Sequence, residues 1–94
     1  MKIVSTAGAA NDLIEIVDYI SRESPEAARR MAKVIYDETL SLASMPNRGR
    51  KRSTDDAREL IFVPWPYVAV YEIIEDIVFI EGIRHTARDS WQRT

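Results

Sequence analysis

The chain opens with a short extended segment, Lys2-Ile3-Val4-Ser5, and then changes period. Leu13, Ile16, Val17 and Ile20 recur at i, i+3, i+4 and i+7, with Asp12, Glu15, Asp18 and Arg22 on the other side, which predicts an amphipathic helix with one buried stripe. Thr6 is placed to cap it, because its hydroxyl can accept a helical N–H that lacks an internal partner, so the helix starts near Ala7. Ser24-Pro25-Glu26 repeats the start signal, with Pro at the first helical position, where its missing N–H costs nothing, and Glu against the positive end of the helix dipole. Ala28, Met31, Ile35 and Leu42 keep helical spacing to about Met45, Glu26 and Arg30 form a favourable i, i+4 pair, and Pro46 stops the helix. So short a turn between the two makes an αα-hairpin.

Residues 46–57 have no apolar period and carry turn formers, which predicts a loop crossing from helix to sheet. Beyond it, Leu60 to Val63, Tyr67 to Ile73 and Ile77 to Ile83 are rich in β-branched and aromatic residues, separated by Pro64-Trp65-Pro66 and by Glu75-Asp76. They predict a three-stranded antiparallel meander. The expected fold class is therefore α+β in the order β-α-α-β-β-β, with an N-terminal strand and a helical hairpin packed on a mostly antiparallel sheet whose second face is partly open.

Ninety-four residues predict one domain spanning 1–94. A domain of this size buries only about 60 to 65% of its unfolded surface, so a partner that covers an apolar groove adds much to its stability. With no cysteine and one histidine, disulfides, thiolate metal sites and a His pair for zinc are excluded, and no cofactor or metal is expected. The absence of a secretory leader pattern and of any long apolar run predicts a cytoplasmic protein with no membrane contact. The net charge of −2 argues against a large non-specific nucleic-acid footprint, although Arg48, Arg50, Lys51 and Arg52 stand together in the loop. That run reads either as a solvated loop or as a contact for acidic residues of a partner.

A Gly-rich phosphate loop and a nucleophile elbow are both missing, and no cysteine is present to pair with His85. What remains is the Arg-rich loop, the strand Pro66-Tyr67-Val68-Ala69-Val70-Tyr71, and the cluster Arg84-His85-Thr86-Ala87-Arg88-Asp89. Together with Thr6, Ala9, Asp12, Leu13, Ile16, Tyr19 and Ile20, then Ser24-Pro25, Ala27-Ala28, Leu42, Pro46, Gly49-Arg50 and Arg58-Glu59-Leu60, this ordered set resembles the RelE/ParE family of toxins from bacterial type II toxin–antitoxin systems. The resemblance covers nearly the whole chain and lies closer to the ParE branch. It departs at Ser5, where many relatives carry Trp, and at Ala7, where many carry Pro.

The resemblance implies a toxin held in a hetero-oligomer by a cognate antitoxin whose C-terminal segment wraps it, with Leu13, Ile16, Ile20 and Arg50 as candidate antitoxin contacts. It also implies one of two targets: DNA gyrase, bound and poisoned as ParE-like toxins do, or mRNA on the ribosome, cut as RelE-like toxins do. A degenerate, non-toxic member is a third reading. A nuclease must hold a phosphate, deprotonate a 2′-OH and protonate the leaving oxygen, yet no Arg or Lys lies between Val63 and Glu81. For that branch only Arg58, Arg84, His85 and Arg88 are available, with Tyr71 a poor acid because its ordinary pKa is about 10. For a gyrase inhibitor there is no catalytic residue, and Arg84, His85, Arg88, Trp91 and Trp65 are the target-binding candidates. Four of them have a structural alternative: His85 as a packing residue, Arg88, beside Asp89, stitching the tail to the sheet, and the two tryptophans docked on the sheet.

Overall fold

The computed structural model describes residues 1–86. Thr6 and Ser24 cap as their positions dictate, each accepting a backbone N–H at 3.1 Å, from Ala9 and Ala27 respectively. They open helices α1 (Ala7–Ser21) and α2 (Pro25–Ser41). α2 ends short of Met45 because the chain tightens there into i to i+3 turns, with Leu42 N–H bonded to Thr39 O and Ala43 N–H to Leu40 O, which satisfies carbonyls orphaned at the helix end. The expected Glu26–Arg30 pair is not formed. The i, i+4 pairs are Asp18 with Arg22 and Lys33 with Asp37, both exposed and therefore weak.

Strands β1 (Lys2–Ser5), β2 (Arg50–Lys51), β3 (Arg58–Ile61), β4 (Tyr67–Ile74) and β5 (Ile77–His85) form one sheet in the order β1-β5-β4-β3-β2. β1 runs parallel to β5, and every other pairing is antiparallel. The expected element order holds, with one addition: the loop expected over 46–57 contains a 3-10 turn at Pro46–Arg48 and the two-residue β2. β3 also lies two residues earlier than the apolar run suggests, because Phe62 O accepts Trp65 N–H at 2.8 Å and so begins the turn to β4. Glu75 and Asp76 take positive φ to make the two-residue hairpin between β4 and β5.

The helical hairpin covers one face of the sheet, burying Met31 and Ile35 against Leu60, Ala69, Tyr71, Val78 and Ile80. The α1 stripe of Leu13, Ile16, Val17 and Ile20 packs on this core but stays partly exposed. Among the described residues no helix is long and apolar enough to cross a membrane.

Tyr71 stands at the centre, with none of its surface exposed. Its hydroxyl donates to Pro46 O at 2.7 Å and accepts Gly49 N–H at 2.8 Å, so a buried phenol ties the loop after α2 to the middle of β4. A Cβ on Gly49 would lie 2.6 Å from the Tyr71 hydroxyl, and only glycine permits this approach.

Tyr71→Phe leaves the buried Gly49 N–H without its acceptor and should cost about 1 to 3 kcal/mol of stability in denaturant titration. By the same measurement Ile35→Ala should cost about 2 to 5 kcal/mol, and Ile16→Ala, less completely buried, should cost less.

Candidate functional site

Of the candidates for chemistry on phosphate, Arg58 is bound into the fold. Arg58 on β3 donates through Nη1 to Asn47 O at 3.2 Å and to Gly49 O at 2.9 Å, bracing the loop that Tyr71 holds. Both hydrogen-bonding roles of the Tyr71 hydroxyl are filled. In the basic run, Arg48 pairs with Glu38 and also donates to Ser41 Oγ. Arg50, with 71% of its side chain exposed, bonds the carboxylate of Glu59, which is 3% exposed. Arg52 lies 3.4 Å from Asp55 and 3.9 Å from Glu59. Two arginines of the run, Arg50 and Arg52, thus gather at the buried Glu59 carboxylate and Arg48 pairs with Glu38, while Arg48, Arg50 and Lys51 remain exposed to solvent.

At the end of β5, the structure brings Arg84 and His85 beside α1. Asp12, expected on the solvent side of the helical wheel, turns to the sheet edge, where Oδ2 accepts Ile83 N–H at 3.0 Å and Arg84 Nη1 at 2.9 Å. His85 stands opposite Tyr67 in register and packs edge-on against its ring at 5.2 Å. Trp65 is half-buried against the core cluster. Arg88 and Trp91 lie outside the described residues.

Between α1, α2 and the β1 side of the sheet lies an apolar cleft of about 420 Å³, lined by Leu13, Ala32, Ile35, Tyr36, Leu40 and Ile80 among others. Tyr36 and Leu40, at its rim, are 65% and 49% exposed. Of the antitoxin candidates, Leu13 lines the cleft, whereas Ile16 and Ile20 pack beside it on the core and Arg50 sits on β2 at the opposite edge of the sheet. The residues missed from sequence are Ala32, Tyr36 and Leu40. Their i, i+4, i+8 spacing marks a second α2 stripe beside the buried one.

The sheet face turned away from the helices carries Glu59, Glu72, Glu81 and Arg84 beside the buried Val68 and Val70. Tyr71 and Ile80 point into the core, so strand alternation sends Glu72 and Glu81 to the other side. The register slips between the Val70–Gly82 and Tyr71–Ile80 pairs, leaving Glu81 as the extra residue of a bulge. A shared hydrogen bond with Glu72, aided by burial and by the charges of Glu72 and Asp55, pushes the Glu81 pKa up to about 7, with Arg52 opposing.

In the unfolded chain Glu81 titrates near its ordinary value of 4.5, so between there and about pH 7 the folded state holds a proton that the unfolded state has lost. This contribution to stability is complete below the unfolded value and disappears as pH rises through the folded one. Thermal melts should therefore show a fall in stability from pH 5 to pH 8 that is smaller in Glu81→Gln, with Glu81→Gln the more stable protein at pH 8.

The family model described as the ParE toxin of type II toxin-antitoxin systems, parDE, matches residues 3–90. Toxin RelE2 of Caulobacter vibrioides is 46% identical over 87 residues, covering 93% of this chain and 97% of the relative. A solved structure titled as the chromosomal ParDE TA system from P. aeruginosa superposes with a TM-score of 0.77 at 27% identity, over 90% of this chain and 95% of the other. Sequence and fold agree over nearly the full length of each chain, and this protein belongs to the RelE/ParE family as a toxin of a type II toxin–antitoxin system.

Proposed function

We propose that this toxin arrests growth by binding DNA gyrase, without nuclease chemistry of its own, and that a cognate antitoxin neutralises it in the cytoplasm by occupying the cleft between α1 and α2. The observation that carries the reading is the state of the cations. Phosphodiester cleavage needs free guanidinium or ammonium groups around the scissile phosphate and an available proton donor or acceptor. Here Arg58 bonds two backbone carbonyls, and Tyr71 is buried with its hydroxyl engaged in two hydrogen bonds. The Glu72–Glu81 pair on the open face repels a phosphate backbone. A surface of this kind suits contact with a protein, and the family match to ParE toxins favours gyrase.

The cleft suits an antitoxin segment. It is apolar, flanked by the exposed Tyr36 and Leu40, and continuous with the core of a small domain that gains stability when it is covered. A folding-upon-binding segment with aliphatic side chains at helical or strand spacing fits it.

The second reading, RelE-like mRNA cleavage on the ribosome, is favoured by the name of the 46% identical Caulobacter relative. Induced expression without antitoxin should stop growth, and co-expression of the antitoxin should restore it. Purified toxin should inhibit gyrase supercoiling or trap cleaved DNA while mRNA on purified ribosomes stays intact. Ribosomal mRNA cleavage lost in His85→Ala establishes the second reading instead, and normal growth at confirmed soluble expression establishes a non-toxic member. Leu40→Glu at the cleft rim should weaken antitoxin binding by about tenfold or more, measured by calorimetry, while growth arrest persists.

A further inference from the structure

We infer that Gly82 and Asp12 are positioning residues that hold the Arg84 guanidinium against β5 and leave its remaining donors for a carboxylate of the protein target. The inference rests on the reading that Arg84 contacts the target. Gly82 and Arg84 are two residues apart on one strand and so share the open face. A Cβ on Gly82 would run into Arg84 Nη1 and stand 2.8 Å from Cζ and 2.9 Å from Nη2. The guanidinium therefore occupies the space that any other side chain at 82 would fill.

Backbone conformation does not demand glycine here, since Gly82 does not take positive φ. What the missing side chain provides is a seat for a planar cation. Asp12 then fixes its direction. Nη1 carries both of the guanidinium's bonds, to Asp12 Oδ2 at 2.9 Å and to Ile83 O at 3.4 Å, while Nε and Nη2 have none among the described residues. The Arg84 side chain is 45% exposed, so these donors lie in a group that solvent and a partner can reach. Two parallel N–H donors on a fixed plane match the two oxygens of a carboxylate, and the seat removes rotamer freedom that binding would otherwise have to freeze.

Gly82→Ala tests the idea cleanly, because alanine is allowed in a strand and displaces only the far end of a flexible side chain. Asp12→Asn is a second, independent variant, since its amide oxygen still accepts Ile83 N–H while the ion pair to Arg84 is lost. Full-length wild type, R84A, G82A, D12N, G82A/R84A and D12N/R84A are induced without antitoxin. The toxin level that halves growth is measured beside melting temperature and the NMR signals of the Arg84 guanidinium.

We expect R84A and G82A each to raise the required level about tenfold, D12N somewhat less, and neither double variant to exceed R84A. The melting temperature of G82A should not fall, and guanidinium signals distinct in the wild type should average together in G82A. If R84A loses toxicity while G82A and D12N keep it, positioning is overturned and the target-contact reading stands. Losses in the double variants that add to that of R84A overturn positioning as well, since they mark a merely structural role. An R84A protein as toxic as the wild type overturns the contact reading on which the inference rests. Should G82A fail to fold, the D12N cycle decides in the same way.

Discussion

A phenol hydroxyl buried at the centre of a small domain must find both a donor and an acceptor, and Tyr71 finds them in one loop. Much else depends on that pair of bonds. By holding Pro46 and Gly49 over β4, it sets the approach of the chain to the sheet, so that Arg50 and Lys51 can pair with Glu59 and Arg58 as a fifth strand. Arg58 then bonds the carbonyls of Asn47 and Gly49, and the carboxylate of Glu59 is buried under Arg50 and Arg52. A nuclease would use such groups on phosphate. Here they are the internal bracing of a sheet edge.

The same pairing of charge organises the β2 edge of the sheet in a chain with 13 basic and 15 acidic side chains. Burial of Glu59 draws two arginines to it, and the pair formed by Glu72 and Glu81 is left with only the more distant Arg52 to offset it. One of these carboxyls keeps its proton up to about pH 7. The open face therefore carries less negative charge in mildly acidic conditions than its composition suggests, and gains it across the neutral range.

Local chemistry was legible in the sequence where it obeys a short-range rule. Thr6 and Ser24 mark helix starts by accepting N–H groups from residues three positions on, Pro25 does so through its fixed φ at the first helical position, and Glu75-Asp76 marks a turn between two apolar runs. Features created by distant partners were not legible. β2 is an Arg-Lys dipeptide with no apolar pattern, held by backbone pairing to β3 and by the Arg50–Glu59 ion pair. Asp12 shares a helix face with Glu15 and Asp18, and a helical wheel cannot say that one of the three meets the edge of β5. The cleft escaped for a related reason: Tyr36 and Leu40 follow the helical period, but which of two adjacent stripes lies over an open seam is decided by the separation of α1 and α2.

The parallel pairing of β1 with β5 joins Lys2 to Ile77 and Ser5 to Ile80, the two ends of the chain. Contacts of such long sequence separation form late, after local helices and hairpins. On a translating ribosome the consequence is an order of events. The helical hairpin can assemble once its residues emerge, but the sheet cannot close, nor can Asp12 reach Ile83 and Arg84, until the last strand has left the exit tunnel. A nascent toxin thus lacks the Arg84 arrangement until β5 itself is clear of the tunnel and can pair with a strand made at the start of synthesis.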